Sequence, residues 1–287
     1  GIINSGRSGI DPLNGAVLGS DTIVEYIRKA RRDRSIKAVV LRIDSPGGST
    51  IASDVIWREL SLFNSGPGAR PLVASMSDLA ASGGYYIAVA APDIVAEPGT
   101  LTGSIGIYGG KIVAGGTYEK LGMNIESLSI GAYADMGSPV RPFSEAERAK
   151  LNGQLRAFYE QFVEKVAAAR DMKPDAVDAV AQGRVWTGRQ AKAIGLVDAL
   201  GGLDRAIALA KERAKIPASE PVVLVTYPPR RGFYDVLMSA IAGTGLRADV
   251  SALLGPRERQ AAGALSAPFR LFRRGEPLAL MPMGWVR

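Results

Sequence analysis

The 287-residue chain contains no histidine and no cysteine. Without cysteine it can form no disulfide, no thiolate metal site and no thiol nucleophile. Without histidine it cannot hold a Ser-His-Asp triad, and it could bind a metal only through carboxylates and carbonyls. No carboxylate cluster stands out, so neither metal nor other cofactor is expected. No apolar run reaches the roughly 18 residues of a membrane-spanning helix, and no leader-peptide pattern opens the chain. The first residue is Gly1 rather than Met. The expectation is a processed product or a piece of something longer, with any membrane anchor in the missing part.

What is present is ordinary for a folded protein: 47% hydrophobic and 22% charged residues, enough to bury a sizeable core. The formal charge of +7 is spread along the chain, which fits a solvated basic surface or attraction to anionic lipid headgroups. Nucleic acid is not an expected partner. The run Arg28-Lys29-Ala30-Arg31-Arg32 reads as a helix end, where cations suit the dipole.

Periodicity and turn chemistry predict alternating strands and helices. Asp21 is placed to cap a helix to about Arg32, and a strand follows over 36–43. Asp44-Ser45-Pro46-Gly47-Gly48-Ser49 makes a tight turn, with Ser49 capping a helix to about Asn64. A short strand over 71–75 leads to a small-residue turn at Ser82 and a helix to about Ala90. Strands are predicted over 94–97, after the turn at Gly99, over 124–128 and over 222–225. Helices are predicted over 117–121, from Ser144 with Glu147 as its capping-box partner, over 173–182, 187–194 and 203–214. The fold class expected is α/β, mostly parallel sheet with crossover helices. Residues 1–229 form the expected main domain. Residues 230–287 form an extension with one amphipathic helix, Tyr234 to Ile241, and an aromatic and basic stretch, Pro268 to Arg274. That extension would pack on the body, on another subunit or on a membrane surface.

Two Gly-rich turns follow predicted strands, where α/β proteins place their sites. In Ala80-Ala81-Ser82-Gly83-Gly84-Tyr85-Tyr86 the small residues permit close backbone approach, and Ser82 stands at a helix N-terminus beside free N–H groups. The alternative is that these small residues only let a helix pack tightly on the sheet. Gly47-Gly48 can present an outward N–H, so that Gly48 and Gly83 together would form an oxyanion hole. The alternative there is a plain or phosphate-binding turn. It is not a Walker A loop, because no Gly-Lys-Ser/Thr follows.

The segments Leu41–Ser49, Ala80–Ala88 and Leu101-Thr102-Gly103-Ser104-Ile105-Gly106, with Gln182–Gly188 and Ala191–Asp198, resemble the signal peptide peptidase A family. These are bacterial membrane-bound serine proteases related to Clp protease and crotonase folds. The resemblance runs from about residue 15 to 215. It implies that Ser82 is the nucleophile of a Ser-Lys dyad, that Gly48 and Gly83 supply the oxyanion hole, and that Ser104 helps orient the lysine. It also implies a homo-oligomer, an extended hydrophobic peptide as substrate, and a site on the extracytoplasmic side of the cell membrane. Tyr85 and a strand over 104–108 are candidates for the pocket wall.

One position departs from the pattern. Short family members carry the lysine in the loop that here reads Ile130 to Pro139, and its place is taken by Ala134. Long, tandem-domain members carry the lysine in the first half and the serine in the second. This chain is similar to the second half, so its lysine is expected from an N-terminal half or partner chain. Lys111 and Lys120 are the nearest alternatives in sequence. A non-catalytic scaffold subunit and a crotonase-like acyl-CoA enzyme are the competing readings.

Overall fold

A computed structural model describes residues 1–11, 15–66, 68–229 and 278–280. Three short strands, β1 (Ile2–Asn4), β2 (Gly9–Asp11) and β3 (Gly15–Gly19), precede helix α1 (Ser20–Arg32). Strand β4 (Val39–Ser45) turns at Pro46 into β5 (Gly47–Ser49) and α2 (Thr50–Asn64). Strand β6 (Leu72–Ala81) runs into α3 (Gly83–Ala88), followed by β7 (Asp93–Ala96), β8 (Leu101–Gly103) and α4 (Gly115–Lys120). The long α5 (Glu145–Arg170) leads to α6 (Pro174–Val180), β9 (Val185–Thr187), α7 (Gly188–Ala193), β10 (Ala199–Leu200) and α8 (Leu203–Arg213). A last strand, β11 (Leu278–Leu280), completes the described elements.

Strand β6 is the spine of the larger sheet. Strands β4, β7 and β8 all lie parallel to it, β10 extends the sheet beyond β7, and β9 closes the other end antiparallel to β8. The second sheet has the order β11-β5-β1-β3-β2. Parallel neighbours joined by helices give an α/β architecture with a mostly parallel sheet, as the alternating sequence pattern predicts. The main core lies between β4, β6 and the helices α2, α3 and α5, filled by Ile56, Leu60, Met76, Tyr85, Tyr86 and Phe162. No helix among the described residues is long and apolar enough to cross a membrane.

Local chemistry explains the helix ends. Ser49 Oγ accepts from the Ala52 N–H at 3.1 Å, so the predicted cap of α2 is made. Ser144 and Glu147 form the predicted capping box of α5, and Pro174 opens α6. Asp21 does not cap α1: Gly19 is the cap residue, and Asp21 sits in the first turn, where its charge still suits the dipole. The other end of α1 carries Lys29, Arg31 and Arg32 in its last turn. Arg70 reaches across to donate to the carbonyls of Ala30, Asp33 and Ile36, at 3.2, 2.6 and 2.8 Å, and to that of Arg31.

Several predicted elements differ. The strand expected over 71–75 continues to Ala81, so the turn at Ser82 follows a ten-residue strand and opens α3 directly. Residues 124–128 and 222–225 form no strand; Val223 and Leu128 are exposed and have no pairing partner among the described residues. The strand expected across 104–108 stops at Gly103. The helix at Tyr234–Ile241 and the stretch Pro268–Arg274 lie outside the described residues, as does the 230–287 extension apart from β11.

Candidate active site

Ser82 is held where the C-terminal ends of three parallel strands meet. Ala81 of β6 is in register with Gly103 of β8, and Ala80 with Ser45 of β4. The next residues of each strand are therefore brought together: Ser82, Ser104 and the Pro46-Gly47-Gly48 turn. This is the edge at which open parallel sheets present ligand sites.

The backbone at Ser82 is strained, with φ 53° and ψ −116°. It is fastened on both sides. The Ser82 N–H donates to the Gly103 carbonyl at 2.8 Å, and the Ser82 carbonyl accepts from the Tyr86 N–H at 2.8 Å. A non-glycine residue in such a conformation costs about 1–3 kcal/mol and persists only where its surroundings enforce it. The Ser82 side chain is buried, and its Oγ has no hydrogen-bond partner among the described residues. A buried hydroxyl left unpaired costs about another 1–3 kcal/mol. Thr50 Oγ1, two residues past Gly48, is likewise buried and unpaired; sequence reasoning missed it, since Thr50 reads simply as the first residue of a helix.

The two glycine segments differ in what holds their backbone. Tyr86 makes the first intrahelical bond of α3, so the amides of Gly83, Gly84 and Tyr85 have no acceptor within the helix. Gly47 is not the outward donor, because its N–H is taken by Ser45 Oγ at 3.1 Å. Gly48 has φ +153°, and a Cβ there would stand 2.0 Å from the Ile3 carbonyl oxygen. Backbone approach thus demands glycine at that position. A Cβ on Gly84 would stand 2.8 Å from the Ser45 carbonyl, so α3 lies directly on the β4–β5 turn.

Ser104 is buried with φ 49°, and its N–H donates to the Arg184 carbonyl at 2.7 Å. Trp186 packs so close to Gly103 that a Cβ there would meet its ring at 2.8 Å. The Trp186 indole N–H is fixed on the Val180 carbonyl at 2.9 Å. The Gln182–Gly188 segment thereby backs the Thr102-Gly103-Ser104 corner. Tyr85 is a core residue rather than a pocket wall: it is fully buried and donates to the Leu196 carbonyl at 2.8 Å.

The lysines lie elsewhere. Lys120 is exposed on α4. The Lys111 Nζ donates to the Met136 carbonyl at 3.0 Å and lies 4.4 Å from the Phe143 ring centroid; burial and the neighbouring Arg141 lower its pKa. Lys165, which sequence reasoning did not single out, has only 14% of its side chain exposed and pairs with Asp54 at 2.9 Å. Asp54 also accepts from the Tyr86 hydroxyl at 2.7 Å, one helical turn past Ser82. Burial, and then the hydrogen bond to Asp54, push the Tyr86 hydroxyl pKa far up. Ala134 is exposed in a turn whose neighbours are anchored: Arg141 Nε reaches Asp135 at 3.2 Å, and its other nitrogens reach Glu147 at 2.7 Å. The loop over 130–139, where the resemblance leads one to expect a lysine, contains none. No group of metal-binding side chains occurs among the described residues.

Residues 68–217, just over half of the chain, match the sequence profile of peptidase family S49. The chain belongs to that family. It is 46% identical over 225 residues to the "Serine protease SPPA, chloroplastic" of Arabidopsis thaliana, covering 78% of this chain and 33% of that protein. It is 40% identical over 234 residues to "Protease 4" of Salmonella typhi, covering 79% and 36%. The S49 chain thus spans about a third of the length of these two relatives. The solved structure of a ClpP1 mutant from Listeria monocytogenes superposes with a TM-score of 0.45 at 13% identity, over 66% of this chain and 86% of that one. The α/β architecture stands on the strand pairings themselves.

Proposed function

We propose that this chain is the serine-bearing half of a signal peptide peptidase, active when a lysine from an N-terminal half or partner chain reaches Ser82. The observation that carries the reading is the buried, unpaired Ser82 Oγ on a strained backbone. A nucleophile so held needs a base, and no amino group of the described residues bonds to it. The coverage of about a third of the two relatives supports a missing half, and Ala134 in the lysine loop supports it further.

In this reading Ser82 Oγ attacks a peptide carbonyl while its proton passes to the incoming lysine. The carbonyl oxygen takes the negative charge between the Gly48 and Gly83 N–H groups. The lysine then returns its proton to the leaving amine, and water resolves the acyl-enzyme by the same steps. Ser104 orients the lysine, whose pKa burial would bring toward neutrality. The substrate is an extended hydrophobic remnant peptide that adds as a strand. Homo-oligomerisation, contact with a membrane surface and an extracytoplasmic site are parts of the same proposal. The second reading, a scaffold subunit that has kept its serine, draws on Ala134. Labelling with a fluorophosphonate probe separates them: Ser82 reacts once the lysine-bearing half is added. Absence of labelling with and without that half would favour the scaffold.

A further inference from the structure

Strand β11 lies on the outer edge of β5, antiparallel, with Leu278 opposite Ser49, Ala279 opposite Gly48 and Leu280 opposite Gly47. On its other side β5 pairs with β1 through Ile3 and Gly48. Without β11, β5 would be the edge strand of its sheet, and its free edge would run past the proposed oxyanion donor. An exposed edge of that kind is a template for an added strand.

We infer that the segment Leu278-Ala279-Leu280 is an internal pseudosubstrate, occupying the backbone edge on which an extended peptide would otherwise add. The inference rests on the reading of β5 as the substrate edge. Three observations support it. The pairing is centred on Gly48, the residue whose geometry forbids any side chain. The segment Leu278-Ala279-Leu280-Met281 is uniformly apolar, the chemistry of the substrate proposed above, and is bracketed by Pro277 and Pro282. Prolines donate no N–H, so a segment flanked by them favours a short ladder over a long one. Finally, the segment lies outside residues 68–217, so the contact is not part of the match to the family.

An occupant that holds the edge nine-tenths of the time lowers the apparent affinity of a competing peptide about tenfold. The test uses the full chain carrying Ser82→Ala, so that no peptide is cut, and the labelled peptide Glu-Pro-Leu-Ala-Leu-Met-Pro-Met as probe. Ala279→Pro and Leu280→Pro are made separately, because consecutive N–H groups of a strand point to opposite sides and one of the two must face β5. Thermal melts check that each variant is folded. At least one variant should bind the probe about tenfold more tightly than the parent, and amide exchange at Gly47–Ser49 should quicken in the same variant. Unchanged binding and exchange in both folded variants would overturn the inference. If Ser82 of the unmutated chain is labelled with its partner half while the proline variants change nothing, the pseudosubstrate fails and the peptidase reading stands. If the variants gain affinity but Ser82 is never labelled, β5 is a peptide-docking edge and the peptidase reading fails.

Discussion

Every residue from Ala80 to Ala91 is buried, whereas every residue from Leu121 to Ala134 is exposed. The two regions do not differ in apolar character. Leu121, Met123, Ile125, Leu128, Ile130 and Tyr133 are as hydrophobic as the residues around Ser82, yet Leu128 and Ile130 keep essentially their full accessible surface. The serine corner is completed from within the chain, by α3 on the β4–β5 turn and by Trp186 behind Gly103. The outer loop is tied to α4 at its start by the Met123 N–H on the Tyr118 carbonyl, and at its far end through Arg141 and Lys111. A run of exposed apolar residues of this kind is a candidate contact surface, which substitutions at Leu128 and Ile130 test. One region is packed from within the chain around Ser82; the other leaves its apolar residues uncovered among the described residues.

The largest test of this contrast is at Gly48. Gly48→Ala should slow partner-dependent labelling of Ser82 by about 10²-fold or more, the usual loss of an oxyanion donor. It should also lower the melting temperature, because its Cβ falls on the Ile3 carbonyl. Lys165→Met probes the support beneath the cradle. It leaves Asp54 without its cation and should cost about 1–3 kcal/mol in a denaturant titration. Leu128→Asp combined with Ile130→Asp probes the outer loop. The isolated chain should keep its stability within about 0.5 kcal/mol, since both positions are exposed. Partner-dependent turnover should nonetheless fall about tenfold, as expected when about 1.4 kcal/mol of contact is lost.

The smallest effect concerns acid. Arg141 and the Ser144 N–H hold the Glu147 carboxyl down from 4.5 to about 2. A lowered folded-state pKa gives stability that is full above about pH 4.5 and is lost as pH falls toward about 2. Glu147→Gln should therefore flatten the fall of melting temperature across that window, while the wild-type chain keeps the steeper slope.

Much of the backbone around Ser82 and Gly48 was legible in sequence because glycine and serine motifs advertise turns and close approach. Ser49, Ser144 and Pro174 also announced their helix ends through local chemistry. What was not legible depends on partners distant in sequence. Val222–Val225 has strand-forming composition but pairs with no strand among the described residues, and the same holds for residues 124–128. The continuation of β6 through Ser77-Asp78 looked like a turn because the strand leaves the core there and re-enters at Ala80. The positive φ at Ser82 and Ser104 is invisible in residue type, since strain of this kind is enforced by neighbouring strands. Lys165 finds Asp54 across more than a hundred residues, and nothing in its local sequence signals that pairing.

The most direct measurement is hydrolysis of an extended hydrophobic peptide by the purified chain, alone and mixed with a lysine-bearing N-terminal half. The half-site account predicts no turnover alone and restored turnover in the mixture, lost again with Ser82→Ala. Robust turnover by the isolated chain, abolished by Lys111→Ala or Lys120→Ala, would contradict it.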